Sequence, residues 1–151
     1  MTSQLPLLSI RDLKVEFPLD EGTVKAVDGV SLDVYAGQVF GIVGESGCGK
    51  SVTMKAMLRI IEPPGRITQG KILLQRFNGK DGDTVDLATL DQNGKEMRDI
   101  RGGQIALIPQ EPMSSFSPVH TIGDQIMEAI RLHQAVNKKE ALRIAAQLLR
   151  D

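Results

Sequence analysis

Tryptophan is absent from this 151-residue chain, tyrosine occurs once, and aromatic residues make up only 3%. So few flat rings leave little surface on which nucleic-acid bases could stack. Cysteine also occurs once, as Cys48. That excludes an intramolecular disulfide and any cysteine-rich metal site, and it suits a reducing, cytosolic compartment. Charge of either sign is not in excess: 18 Lys plus Arg stand against 19 Asp plus Glu, for a net charge of -1. No strong field results, and overall charge gives a nucleic-acid partner no support. Long apolar runs are missing too. The longest, such as "VFGIVG" from Val39, fall far short of the roughly 20 residues that cross a bilayer. The start, "MTSQLPLLSIRDLKVEF", has no basic segment followed by an apolar one and a small-residue cleavage site, so no secretory signal is expected. There is no internal repeat and no low-complexity tract.

What remains is ordinary globular composition, with 41% hydrophobic and 25% charged residues. The length suits one domain and is short for two. "LKVEF" (Leu13 to Phe17) alternates apolar and polar residues and predicts a half-buried strand. "VKAV" (Val24 to Val27) predicts a second strand and, after an Asp28-Gly29 turn, "VSLDV" (Val30 to Val34) a third. "VFGIV" (Val39 to Val43) is apolar almost throughout, as expected of a strand buried on both faces. A helix is expected from Ser51 to Ile61, stopped by Pro63-Pro64-Gly65. "KILL" (Lys71 to Leu74) predicts a short strand, and the polar stretch from Gln75 to Gly94 a loop or hairpin. Beyond it come a short helix from Lys95 to Ile100 and a buried strand "QIALIP" (Gln104 to Pro109). Two helices are predicted last, Ile122 to His133 and Lys138 onward. The final one is capped by Asn137 with Glu140 at capping-box spacing. Its expected apolar face is Leu142, Ala145, Leu148 and Leu149.

Between the apolar run and the first helix lies Gly44-Glu45-Ser46-Gly47-Cys48-Gly49-Lys50-Ser51, which fits G-x-x-x-x-G-K-[ST]. The glycines allow backbone angles that other residues resist, so consecutive N–H groups can curl around an anion. The following helix adds the positive end of its dipole. Lys50 is placed to reach β- and γ-phosphates, and the Ser51 hydroxyl to ligate Mg²⁺. Average residue frequencies give such a pattern about a 1% chance of arising in a chain this long. A preceding apolar run and a following helix make chance rarer still. Cys48, near a helix start, has two readings: an activated thiol, or a small side chain tolerating close packing. The second is preferred.

"GIVGESGCGKS" resembles the Walker A region of ABC transporter ATPases. "IALIPQEPMSSFSPVHTIGDQIMEAI" resembles their Q-loop and the helix after it. "PQEPMSSFSP" and "AVDGVSLDVYAGQVFGIVGESG" are similar to the subfamily that powers oligopeptide, dipeptide and nickel import. The resemblance runs from Leu7 to the end. It implies an α/β fold, a P-loop core with an N-terminal antiparallel β-subdomain and the start of an α-helical subdomain, as an incomplete domain. The implied divisions are 7–34, 39–110 and 111–151. It implies ATP and Mg²⁺ as cofactors, held by Gly44, Glu45, Ser46, Gly47, Cys48, Gly49, Lys50, Ser51 and Val52. Phe17 falls where the family stacks an aromatic ring on adenine, and Tyr35 is less well placed. Gln110 is implied to sense Mg²⁺ and the attacking water, so Ser51 and Gln110 are the metal candidates. Implied partners are transmembrane permease subunits and a second ATP-binding subunit, with the chain at the inner face of the cell membrane.

The sequence departs from the family pattern in several places. Val52 stands where many relatives have Thr, and "RFNGKDGDTVDLATLDQNG" is longer than the usual connection. No LSGGQ-like signature occurs, and no apolar run ending in Asp-Glu follows Gln110. His120 and His133 come too early to be the switch histidine. The expectation is a chain that binds ATP and by itself hydrolyses little of it. Two other classes stand beside this one. A stand-alone P-loop kinase or NTPase would need Glu111 as its carboxylate, with "IALIPQE" as the strand. A non-enzymatic interaction piece would dock through its last helix.

Overall fold

The computed structural model describes residues 5–76 and 83–150. It forms two compact units that divide between Met97 and Arg98.

The first unit is built on an antiparallel sheet of four strands in the order β2-β1-β3-β4. These are β1 (Leu8–Leu19), β2 (Gly22–Val34), β3 (Arg66–Gln75) and β4 (Thr84–Asp86). β1 and β2 meet across a two-residue turn, with Leu19 opposite Gly22. The three short strands expected from the sequence are therefore two long ones, and Asp28-Gly29 is no turn. Side chains alternate faces along a strand, so inward residues three apart need one extra residue between them. In β1, Ile10 pairs with Leu32 and Leu13 with Val30, which leaves Asp12 extra at φ +51. In β2, Lys14 opposes Asp28 while Leu13 opposes Val30, which leaves Gly29 extra at φ +79. The two bulges restore Ile10, Leu13, Val15 and Val27 to one buried face. The Asp12 N–H, displaced from the ladder, donates to the Ser31 hydroxyl at 2.9 Å.

At the β1 bulge β3 comes close. A Cβ on Gly70 would lie 2.6 Å from the Asp12 carbonyl oxygen, which is why a residue without one sits there. Ile72, Leu74, Val85, Leu87 and Met97 complete the core of this unit. Asp86 ends β4 and ties its end to β3 and to the turn beyond: its carboxylate accepts from the N–H groups of Ile72 and Ala88, each at 3.0 Å. Between β1 and β2 the Arg11 guanidinium grips Asp33 at 2.7 and 2.9 Å, and the Ser9 hydroxyl also donates to Asp33. The Ser9 hydrogen bond, then Arg11, holds the Asp33 carboxyl below its ordinary value.

Helix α1 (Lys50–Met57) packs on β1 and β2 with Ala56, Met57 and Leu58 buried. It is shorter than the Ser51 to Ile61 span expected: Arg59 at φ +54 leaves helical geometry before the two prolines. Val39 to Val43 does not form the expected strand. Val39 and Val43 are almost fully exposed, and no strand pairs with this run among the described residues. An apolar run becomes a strand only when neighbours take up its N–H and C=O groups. Of the 76–94 connection, residues 77–82 lie outside the described residues. The rest supplies β4, a 3-10 turn (Leu87–Thr89) and helix α2 (Lys95–Ile100), within which the two units divide.

The second unit is a helical hairpin preceded by irregular chain. Gln104 to Pro109 is not the buried strand expected: only an isolated Arg101–Ile105 bridge forms, and Ile108 is exposed. A 3-10 turn (Pro112–Ser115) comes next, then α3 (Ile122–His133) at the bounds the sequence predicts and α4 (Lys138–Leu148) from the start it predicts. Thr121 caps α3, its hydroxyl accepting from the Asp124 N–H at 3.1 Å and donating to the Asp124 carboxylate at 2.7 Å. Asn137 caps α4 through the Glu140 N–H at 2.9 Å. The capping box is half made, because the Glu140 carboxylate turns to Arg143 at 2.7 Å. Met127, Ile130, Ala141 and Ala145 form the hairpin core. Of the apolar face expected on α4, only Ala145 is buried; Leu142, Leu148 and Leu149 are exposed. The packing stripe runs through Ala141 and Ile144 instead.

Candidate phosphate-binding loop

The glycine-rich turn from Gly44 to Ser51 is irregular chain that runs into α1. Two of its glycines have left-handed backbone, Gly47 at φ +82 and Gly49 at φ +93. Gly49 is the N-cap of α1 and offers no side chain to it. The first hydrogen bond back to the cap comes from the Thr53 N–H to the Gly49 carbonyl at 2.9 Å. The N–H groups of Lys50, Ser51 and Val52 therefore have no partner within the helix. They leave the end of the helix dipole free for an anion.

Close approach explains two of the glycines. A Cβ on Gly49 would stand 2.2 Å from the Ala26 carbonyl oxygen, so only glycine lets the loop sit this tightly on β2. A Cβ on Gly44 would stand 2.6 Å from Cys48 Sγ across the loop. The Cys48 N–H donates to the Glu45 carbonyl at 3.4 Å, which tightens the turn. Lys50 folds back over it, donating from Nζ to the carbonyl oxygens of Gly44 and Glu45, each at 2.6 Å. The Cys48 sulfur lies 3.5 Å from the same ammonium. Its thiol is exposed. A phosphate arriving here would offer that ammonium anionic acceptors in place of two neutral carbonyls, a stronger partnership. The donor set and the glycine cradle fit a nucleotide's phosphates.

Ser51 is exposed at the helix start, and Val52 is half-buried beside it. Among the described residues no three His, Cys, Asp or Glu side chains converge. The Ser51 hydroxyl is the candidate protein oxygen for Mg²⁺ at the helix start. Between the loop and β2 lies a cavity of about 390 Å³ with a mixed wall, in which Val27, Val30 and Leu32 stand beside Lys25, Asp28 and Lys50.

Phe17 lies near the end of β1 opposite Val24, half-buried. Its ring edge lies against Gly65, in the turn before β3, with the Ile61 side chain beside the same glycine. All of these belong to the first unit. Gln110 and Glu111 belong to the second, where both are exposed just before or at the cap of the Pro112–Ser115 turn. Glu111 does not end a strand, because none forms there. One residue missed by the sequence reading is Thr53. It is buried, and its hydroxyl donates to the Gly49 carbonyl at 3.0 Å, doubling the Thr53 N–H bond to the same atom. A threonine four residues after a cap glycine is the only signal, and it is a weak one.

The family model described as ABC transporter matches residues 27–150. A probable peptide ABC transporter ATP-binding protein of Sinorhizobium fredii is 42% identical over 144 residues, covering 95% of this chain and 40% of that protein. The dipeptide transport ATP-binding protein DppD of Bacillus subtilis is 44% identical, with the same coverage. The glutathione import ATP-binding protein GsiA of Escherichia coli is 41% identical, over 95% of this chain and 22% of its own length. The chain thus spans about 40% of the length of the first two relatives. Among solved structures, a post-hydrolysis dimer of the ATP-binding cassette MJ0796 bound to ADP and Pi superposes with a TM-score of 0.76 at 19% identity. It is covered over 56% of its length. That likeness shows the fold, an ATP-binding cassette architecture. No helix among the described residues is long and apolar enough to cross a membrane.

Proposed function

This chain belongs to the ABC transporter family, and from that premise we propose that it is the nucleotide-holding portion of an ATP-binding subunit that energises peptide import. One observation carries the proposal: a glycine cradle at the uncapped start of α1 with Lys50 closed over its mouth. The relatives whose names state a cargo name peptide, dipeptide or glutathione, which supports a peptide-class substrate over nickel. The divisions 7–34, 39–110 and 111–151 serve as β-subdomain, P-loop core and beginning of the helical subdomain.

In this reading the backbone N–H groups of Lys50, Ser51 and Val52 bind the β- and γ-phosphates, and the Lys50 ammonium neutralises them. Ser51 orients Mg²⁺, which when bound offsets charge on the phosphate oxygens. Phe17 offers a ring face to adenine, and Gln110 serves as the sensor of the metal and the attacking water. Transmembrane permease subunits and a second ATP-binding subunit are the partners, at the cytoplasmic face of the membrane. Phosphoryl transfer needs a carboxylate to polarise the attacking water and further charge stabilisation, which these residues do not supply. The 151-residue chain by itself therefore binds ATP with little turnover.

The test is titration calorimetry of the chain with Mg-ATP. Lys50→Ala removes a charge-assisted hydrogen bond, so affinity falls roughly tenfold or more, with unchanged circular dichroism. Undiminished binding by Lys50→Ala would sink the proposal.

A further inference from the structure

Adenine stacking needs more than a ring; it needs the ring held in one place, and the residues that could hold Phe17 lie far from it in sequence. Pro63 and Pro64 lead into Gly65, whose N–H donates to the Glu62 carbonyl at 2.9 Å in a tight turn. A Cβ on Gly65 would stand 2.4 Å from Phe17 Cε1, 2.6 Å from Phe17 Cζ and 2.6 Å from Ile61 Cγ2. The ring edge thus occupies the space an alanine methyl would fill. Unlike Gly47 and Gly49, Gly65 has no left-handed backbone. Glycine is needed at this position for the contact and not for its φ. The turn is fixed to the same strand from the other side, because Arg66 directly after it pairs with Glu16 directly before Phe17. Lys55 adds a further tie, its ammonium 2.7 Å from the Glu62 carboxylate.

We propose that Gly65, with Ile61, is the seat of the Phe17 ring and so a positioning residue for recognition of the nucleotide base. One ring edge is lodged against the turn, and the half-exposed remainder is presented to the base. The proposal rests on the reading of Phe17 as the adenine platform and adds what fixes that platform. Adding a methyl at Gly65 displaces the ring, which is the far end of a side chain with two rotatable bonds, and leaves the backbone where it is. The phosphate loop is not touched.

The experiment compares Mg-ATP with Mg-tripolyphosphate, which carries the phosphates and no base, on four proteins: the unchanged chain, Gly65→Ala, Phe17→Ala and the double variant. Gly65→Ala should weaken ATP roughly fivefold or more, at the low end of what base–aromatic stacking contributes. Tripolyphosphate affinity should stay unchanged. In the Phe17→Ala background the Gly65→Ala change should have no further effect on ATP. The seat is overturned if Gly65→Ala weakens both ligands equally, leaves ATP affinity intact, or acts as strongly without the ring. If Phe17→Ala itself leaves the ratio of the two affinities unchanged, the adenine reading of Phe17 fails and the seat falls with it. A loss in Phe17→Ala with none in Gly65→Ala overturns the seat alone.

Discussion

Gly49→Ala and Gly47→Ala form a matched pair of perturbations in the phosphate loop. Both glycines have left-handed backbone, φ +93 and φ +82. Either alanine meets the left-handed penalty of about 1–2 kcal/mol, partly offset by about 0.4–1 kcal/mol from a stiffer unfolded chain. Around Gly47 a new Cβ meets nothing within 4 Å. At Gly49 it would lie 2.2 Å from the Ala26 carbonyl oxygen, with Val27 Cγ2 at 3.5 Å. That is more than 1 Å inside ordinary contact, about 3.5 Å between heavy atoms. The atom it meets is strand backbone, which cannot swing aside as a side-chain tip can. The loop and the start of α1 must lift from β2, an overpacking cost of about 1–3 kcal/mol. Gly49→Ala should therefore be less stable than Gly47→Ala by about that difference. Set against total stabilities of about 5–15 kcal/mol, the gap is easily measured. Urea unfolding followed by circular dichroism reads it as a lower midpoint at similar slope. Mg-ATP affinity should fall more for Gly49→Ala as well, because the N–H groups of Lys50 and Ser51 move with the lifted helix. Equal midpoints for the two variants would refute the close approach of loop and β2.

Other expectations concern separate parts of the chain. Asp33 has a folded-state value below the ordinary 3.8, chiefly through Ser9 and then Arg11. Its contribution is present in full above that ordinary value and is lost as the pH falls through the lower folded one. Acid unfolding of Asp33→Asn should accordingly be flatter below about pH 4 than that of the unchanged chain, and identical slopes would count against the pairing. Thr121→Ala removes the cap of α3 and should cost about 0.5–2 kcal/mol. Hydrogen exchange should report it as faster opening across Ile122 to His133, with the β-sheet unaffected. The exposed Cys48 thiol should react readily with an alkylating reagent and be shielded by Mg-ATP. An alkylation rate indifferent to nucleotide would contradict phosphate binding in this loop.

The sequence by itself determined the features that close over short spans. Glycines, lysine and serine at fixed spacing make the phosphate loop because every group involved lies within eight residues, from Gly44 to Ser51. Helices α3 and α4 were legible at their first residues because Thr121 and Asn137 satisfy N–H groups three positions on. Family resemblance extended that reading to Phe17 and Gln110. The tertiary structure decided whatever depended on a distant partner. Asp28-Gly29 looks like a turn in one dimension and is a bulge in three, because only β1 across the ladder tells which face Val27 and Val30 share. Val39 to Val43 and Gln104 to Pro109 have the apolarity of buried strands and are not strands here. A strand is defined by the neighbour that takes its hydrogen bonds, which composition does not supply. The packing face of α4 centres on Ala141 and Ala145, with Ile144 beside them, and leaves Leu142 exposed. The seat of Phe17 on Gly65 joins residues 48 positions apart, since 65 − 17 = 48. No local pattern marks that contact, and only the folded sheet brings the ring to the turn.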